Sequence, residues 1–456
     1  MVGLLLILMA AAGFVLFLVG SSYGAALLLR IGFMLAGSGE ASGVEGSLYR
    51  GLSIAELRYE GSGLGVAADG IRIDVDWLAL RQREVRIIEA SVARLELDLP
   101  ASEPSTEPFT MPEVPPWPDL PVSVKVERLA LGGLVLRQGG EPVPVDLRRV
   151  ALRAAVDEER VRVELLELDL LAAEAGLTAH GDLVLRPPAE AGAAPELDLQ
   201  LTLRVRQGED VADASLRATG ALDHFHLDAT ARGYELDMTA QAELAPFSAT
   251  LPLHALQAQV RGLRPEMWVA SLPPGRLDIA LDLVLEGELW PAGQIGAFNP
   301  DTLRSRLALT IDPESRWQGR PLSGQIDLRQ EGWRLPEAKV GLRIGDNRIE
   351  VDGGAGAADD VLRYRMQVPA PGQLWPGLAG QADLAGEVRG LPERHGLTLK
   401  GSLTLPPGLL PEPASESMQV SIEEGQLIES DPSPLEEAID LPAVLAEGPY
   451  RFDVMV

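Results

Sequence analysis

The sequence predicts an all-β protein, a long sheet with one apolar face, preceded by a single transmembrane helix at the amino terminus. Three observations carry this. Apolar and polar residues alternate strictly over many short segments, which is the period of a half-buried strand. Glycine, proline and Asp-Gly pairs separate those segments, as turns require. Before them stands an unbroken apolar run long enough to cross a bilayer.

The apolar run comes first. Val2 to Val19 are all apolar residues or glycine, and Tyr23 to Leu29 prolong the stretch after Gly20, Ser21 and Ser22. About twenty apolar residues span the hydrocarbon core as a helix. A cleaved signal peptide has a shorter apolar region, about 7–15 residues, behind a basic start. Residues 1–30 are therefore expected to be a transmembrane signal-anchor. Arg30 and Arg50 follow it and no basic residue precedes it, so the positive-inside rule alone would put the body in the cytoplasm.

The body reads as strands. From Leu197 through Leu199, Leu201, Leu203 and Val205 every odd position is apolar, with Asp198, Gln200, Thr202, Arg204 and Arg206 between them. Leu277, Ile279, Leu281, Leu283 and Leu285 repeat the pattern, with Asp278, Asp282 and Glu286 on the other face. Shorter copies run through Leu303, Leu307 and Leu309 and through Leu397 and Leu399. Clean alternation over so many segments implies antiparallel or meandering pairing with one apolar face. Short helices are expected at Pro265 to Leu272 and Ser433 to Leu445. Pro100 to Pro121 holds eight prolines, which cannot occupy a central strand. The expected organisation is thus an anchor (1–30), an N-terminal β module (31–100), a Pro-rich linker (101–121) and a repetitive elongated sheet (122–456).

Composition narrows the function. With 39 Lys+Arg against 67 Asp+Glu the formal charge is −28, the wrong sign for nucleic acid, and no Lys/Arg cluster offsets it. The body as a whole is not drawn to anionic headgroups either. The absence of cysteine removes thiolate catalysis, Cys-ligated zinc and disulfides.

No motif assembles an active site. His224 and His226, two apart on a strand, share a face and could ligate a metal, but no third ligand is evident, and two outward polar positions is the plainer reading. Asp74 and Asp76 alternate with Ile73, Val75 and Trp77, which makes them a solvated strand face rather than an acid–base pair. Gly61-Ser62-Gly63-Leu64-Gly65 lacks the following helix that a phosphate loop needs and reads as a turn. The expectation is a protein that is not an enzyme and that needs no cofactor or metal. On composition alone the leucine-rich faces fit an ordinary closed core, hence a structural or protein-binding rod, as well as an open trough.

The order of features after the apolar run resembles the amino-terminal part of the TamB family, which is AsmA-like. The resemblance is carried by Gly43-Val44-Glu45-Gly46-Ser47-Leu48, by Gly51-Leu52 through Leu57-Arg58-Tyr59-Glu60, by Ile71 through Trp77, and by Val92 through Leu97 running into the Pro-rich stretch. Further along, Gly345-Asp346-Asn347-Arg348-Ile349 and Leu374 through Gly380 are similar to that family too. The resemblance implies a single-pass inner-membrane protein with its body in the periplasm, against the charge bias. It implies a long curled, taco-like or solenoid-like sheet whose apolar trough meets phospholipid acyl chains, lined by the leucines, isoleucine and valine named above. It further implies a part in moving phospholipid between the two membranes or in outer-membrane protein assembly. The implied partner is an outer-membrane barrel of the TamA type, engaged through a carboxy-terminal domain that this chain is expected to lack.

Overall fold

Alternating residues bury one side of a strand and solvate the other, and a chain built of such segments has little use for helices. The computed structural model describes residues 39–47, 49–61, 64–100, 113–118, 120–172, 175–190, 192–267, 269, 271–290, 301–391, 394–404 and 450–455. Among these the helical pieces are short 3-10 turns, and no helix is long and apolar enough to cross a membrane. The expected anchor and the helix expected at Ser433 to Leu445 lie outside the described residues. The helix expected at Pro265 to Leu272 is instead a single 3-10 turn, Pro265–Met267. The seven residues between Pro265 and Pro273 are too few to sustain a longer one.

The chain divides into two units, Met1–Gln259 with Gly287–Asn299, and Val260–Glu286 with Pro300–Val456. The first contains β1 (Gly39–Ser47), β2 (Gly51–Gly61), β3 (Leu64–Asp76), β4 (Glu84–Val92), β5 (Arg94–Leu99), β6 (Ser123–Leu131) and β7 (Leu134–Gln138). It continues with β8 (Glu141–Val156), β9 (Val161–Ala172), β10 (Ala175–Arg186), β11 (Glu196–Gln207), β12 (Asp210–Ala221), β13 (His224–Gly233) and β14 (Leu236–Leu244). The strand β15 (Leu253–Leu263) crosses the division between the units.

The pairing is not antiparallel throughout, as the alternation had suggested. β3 pairs antiparallel with β4 at one end and β5 at the other, so these two form one interrupted line. β6 and β7 form a second interrupted line beside the first, β4 parallel to β6 and β5 parallel to β7, and both pair antiparallel with β8. Two parallel strands need a crossover of a dozen or more residues. The Pro-rich segment between β5 and β6 is that crossover: it returns the chain from Leu99 to the start of the line at Ser123. The interruptions abut, with Gly132 N–H donating to Val92 O at 2.8 Å. A Cβ on Gly132 would sit 2.4 Å from the Ala93 carbonyl oxygen, so only glycine allows the approach. From β8 to β14 each strand pairs antiparallel with the next.

The second unit contains β16 (Gly275–Glu286), β17 (Arg304–Ile311), β18 (Arg316–Trp317), β19 (Arg320–Glu331), β20 (Arg334–Ile344), β21 (Asn347–Ala355), β22 (Val361–Val368), β23 (Gln381–Leu391), β24 (Arg394–Thr404) and β25 (Tyr450–Met455). All pairs are antiparallel, and β17 and β18 are again one interrupted line, between β16 and β19. The interruption is filled by polar groups with partners. Ser315 is wholly buried; its Oγ accepts from Asp278 N at 2.9 Å and donates to Asp278 O at 3.3 Å. The Asp278 carboxylate, also buried, accepts from Gly262 N at 2.6 Å. Asp278 is therefore a strut and not the solvated residue that alternation alone suggests. Asn347 plays a like part at the β20–β21 turn, donating to Ile344 O and Ala370 O and accepting from Ala370 N.

Candidate functional site: an uncovered aliphatic sheet face

Residues paired across neighbouring strands share a face, so register alone assembles the surface. In the first unit five rows cross β10 to β14. They are Leu185–Leu197–Gly220–Phe225–Leu244, Leu183–Leu199–Ala218–Leu227–Ala242, Gly181–Leu201–Leu216–Ala229–Ala240, Ala179–Leu203–Ala214–Ala231–Met238 and Leu177–Val205–Ala212–Gly233–Leu236. Every member is apolar or glycine. Rows two residues apart lie about 6.7 Å from one another, so the band is about 27 Å wide.

In the second unit three rows cross β16 to β24. Leu283, Leu307, Leu328, Ala338, Gly353, Leu362, Val388 and Leu397 make one; Leu281, Leu309, Ile326, Val340, Val351, Tyr364, Gly386 and Leu399 the next. The third starts Ile279–Ile311–Gly324–Leu342–Ile349. The band ends where Leu285 pairs with Ser305, whose hydroxyl donates to Gln330 Oε1 at 3.1 Å.

The strands thus bring the sequence-derived positions together as neighbours within each unit. Leu197, Leu199, Leu201, Leu203 and Val205, on β11, form the second column of the first band. Leu277, Ile279, Leu281, Leu283 and Leu285 form the first column of the second, beside Leu307 and Leu309, with Leu397 and Leu399 at the matching register positions on β24. Leu303 stands just before β17 and is buried. Alternation could not reveal the run of small residues, Ala212, Ala214, Ala218 and Gly220 beside Leu216 on β12 and Ala229, Ala231 and Gly233 on β13, which makes that part of the wall shallow.

The substantial contacts between elements run sideways, strand to neighbouring strand, or join a 3-10 turn to its adjacent strand. Among the described residues most long aliphatic side chains of the bands on β11 and β16 are half-buried; the fully buried members are Leu197 and small residues such as Ala179, Ala218 and Ala338. Elsewhere Leu52 and Ile54 are buried, packed with Ala41, Val44, Leu57 and Ile71.

The opposite face is charged and ordered by register. Across β11 to β14 the row is Arg204, Asp213, Arg232, Asp237, with Arg204 Nε 2.7 Å from Asp213 Oδ1. Across β19 to β23 it is Asp327, Lys339, Asp352, Arg363, Glu387. Hydrogen bonds from Arg389 and Arg363 hold the Glu387 carboxyl below its ordinary range, and Arg204 does the same for Asp213. Depressions of 480 Å³ and 1000 Å³ on the second unit are lined mainly by this charged face, with Lys339, Glu350, Asp352 and Arg363 at the first and Arg304, Arg306, Arg329 and Glu337 at the second.

His224 and His226 stand on the charged side of β13. His226 Nε2 is 3.4 Å from Asp228 Oδ1, and the His224 ring lies 5.2 Å from that of His254. Among the described residues no three His, Cys, Asp or Glu are grouped to hold a metal. Asp76 is not a free strand carboxylate; its Oδ1 caps the 3-10 turn Trp77–Gln82 by accepting from Leu78 N at 3.0 Å. Gly61 and Leu64 pair across the β2–β3 turn.

Residues 11–137, which contain the crossover and its two parallel pairs, match the family model described as TamB, N-terminal domain. That stretch of the chain is thus similar to the N-terminal domain of TamB. No curated protein and no solved structure matches it. The TamB match ends at Arg137, within β7, and the apolar rows of β10 to β14 and of the second unit follow in the same pattern beyond it.

Proposed function

We propose that this chain is a periplasmic scaffold, anchored in the inner membrane by residues 1–30, whose aliphatic face carries phospholipid acyl chains. The proposed service is lipid transfer between the inner and outer membranes, support of outer-membrane protein assembly, or both, with an outer-membrane barrel of the TamA type as partner. No step in this reading is catalytic. The observation that supports it most is, within each unit, a band of paired apolar residues whose long side chains are only half-buried among the described residues. A hydrocarbon chain needs a wall that asks for few hydrogen bonds, and apart from the Tyr364 hydroxyl the side chains of these rows are hydrocarbon or thioether. An acyl chain occupies about half the 30 Å hydrocarbon core, and bands about 13 Å and 27 Å wide accommodate it. The TamB match supports the envelope setting.

Native mass spectrometry after mild extraction tests the reading. Phospholipid is expected to co-purify in defined stoichiometry. A clean, lipid-free chain would favour the structural rod.

A further inference from the structure

The turn between β3 and β4 is basic in an acidic chain. Its sequence is Trp77-Leu78-Ala79-Leu80-Arg81-Gln82-Arg83, with two arginines and no acid. Ala79 is buried, 5% exposed, whereas Leu78 is 62% and Leu80 44% exposed. These leucines are not on a loose loop. Asp76 caps the start, Arg83 closes the end in the left-handed region at φ 59°, and Ser123 N donates to Arg83 O at 2.9 Å. The turn is a fixed knuckle that holds two leucines outward.

A second exposed group stands at the same end of the sheet. Leu52 pairs with Ile73, so β2 starts where β3 ends, and the β1–β2 turn lies beside the knuckle. That turn contributes Tyr49, 55% exposed, and Arg50. Among the described residues Arg50, Arg81 and Arg83 have no carboxylate partner, while Glu84 is engaged by Arg86 at 2.6 Å and Asp76 lies 3.8 Å from Arg86. Most other arginines on the charged faces of the sheets are ion-paired. Aromatic, leucine and unpaired arginine side chains together are the composition of a surface that sits in a bilayer interface. The apolar segment ends at residue 30, and nine further residues reach at most about 30 Å to Gly39. Gly39 stands at the end of β1 away from the β1–β2 turn, so the knuckle meets the membrane when the first strands lie along it.

We propose that the knuckle Trp77–Arg83, with Tyr49 and Arg50, is a second membrane contact that docks on anionic phospholipid headgroups. Leu78 and Leu80 enter the interface and the three arginines meet the phosphates. It orients the first strands on the bilayer, independently of whether the aliphatic face carries lipid.

The chain has no cysteine, so Leu78→Cys gives one labelling position. The full chain, labelled there with an environment-sensitive fluorophore, is reconstituted into phosphatidylcholine vesicles with or without phosphatidylglycerol, together with headgroup-proximal doxyl lipid as quencher. Quenching is expected at position 78 in the phosphatidylglycerol vesicles, and it should fall about threefold or more without that lipid or with Arg50→Gln and Arg81→Gln added. The same label at Val211→Cys, an exposed position on the charged face of β12, should stay unquenched. Absence of quenching at 78, equal quenching at 211, or indifference to phosphatidylglycerol would overturn the proposal. So would a buried, lipid-inaccessible label, which would mean that the chain itself covers the knuckle.

Discussion

Leu201 and Asp278 show how differently one carboxylate can fare in this molecule. Asp278 is buried; its carboxylate accepts from Gly262 N, and Ser315 Oγ holds its backbone N and O. A carboxylate at Leu201 or Leu281 would have aliphatic neighbours and no donor. In a closed core that costs several kcal/mol and the fold fails. On an uncovered face, water reaches the charge, so Leu201→Asp and Leu281→Asp should fold with nearly unchanged melting and lose bound lipid. Gln200→Leu and Ala280→Ser should change neither. Unfolding of both aspartate variants would sink the open face. Asp360 allows a second test at this scale. Arg334 donates two hydrogen bonds to it at 3.0 Å, which hold its carboxyl below the ordinary range, with Ala357 N adding a third at 2.8 Å. A depressed folded pKa gives stability that is complete above the unfolded value near 4 and disappears as pH falls through the lower folded value. Melting of wild type and Arg334→Gln should therefore differ at neutral pH and converge in strong acid; a constant difference would show that the loss is one of packing.

At the scale of the strand, the apolar face cannot fix register, because leucine against leucine is much the same two residues along. The charged face can. Lys339 stands between Asp327 and Asp352, and Arg363 between Asp352 and Glu387. A slip by two residues would bring mismatched charges together. Lys339→Glu puts three acids in a line and should cost about 1 kcal/mol, recovered in high salt as screening shortens their reach. Identical melting in low and high salt would show that the row has no part in register. What was legible in the sequence follows this division of labour. Leu197 to Val205 and Leu277 to Leu285 announce their strands because one face is uniformly apolar. The parallel lines β4–β6 and β5–β7 do not announce themselves, since alternation has the same form in either direction; only the length of the proline-rich connection hinted at a crossover. The roles of Asp278 and Asn347 were hidden because Ser315 and Ala370, their partners, are 37 and 23 residues away.

For the whole molecule, the acidic body and its aliphatic face belong together in the proposed periplasmic setting. A reporter active only in the periplasm, fused after Val456, should be active; activity confined to a cytoplasmic reporter would overturn the setting and the lipid reading with it. The strand order within each unit has a consequence of another kind. Apart from the crossover, and from β25, which pairs with β24 across 45 intervening residues, each described strand pairs with one that precedes it closely in the chain. Contacts of this sort close short loops, which form fast. A chain threaded through a membrane from its amino terminus can then add each new hairpin to an edge already in place, without waiting for distant sequence. The exceptions are the crossover, where β4 and β5 stay unpaired on one edge until β6 and β7 have emerged, and β24, which waits for β25. Elsewhere synthesis order and assembly order coincide, so a growing sheet pauses with an open edge only at those two connections.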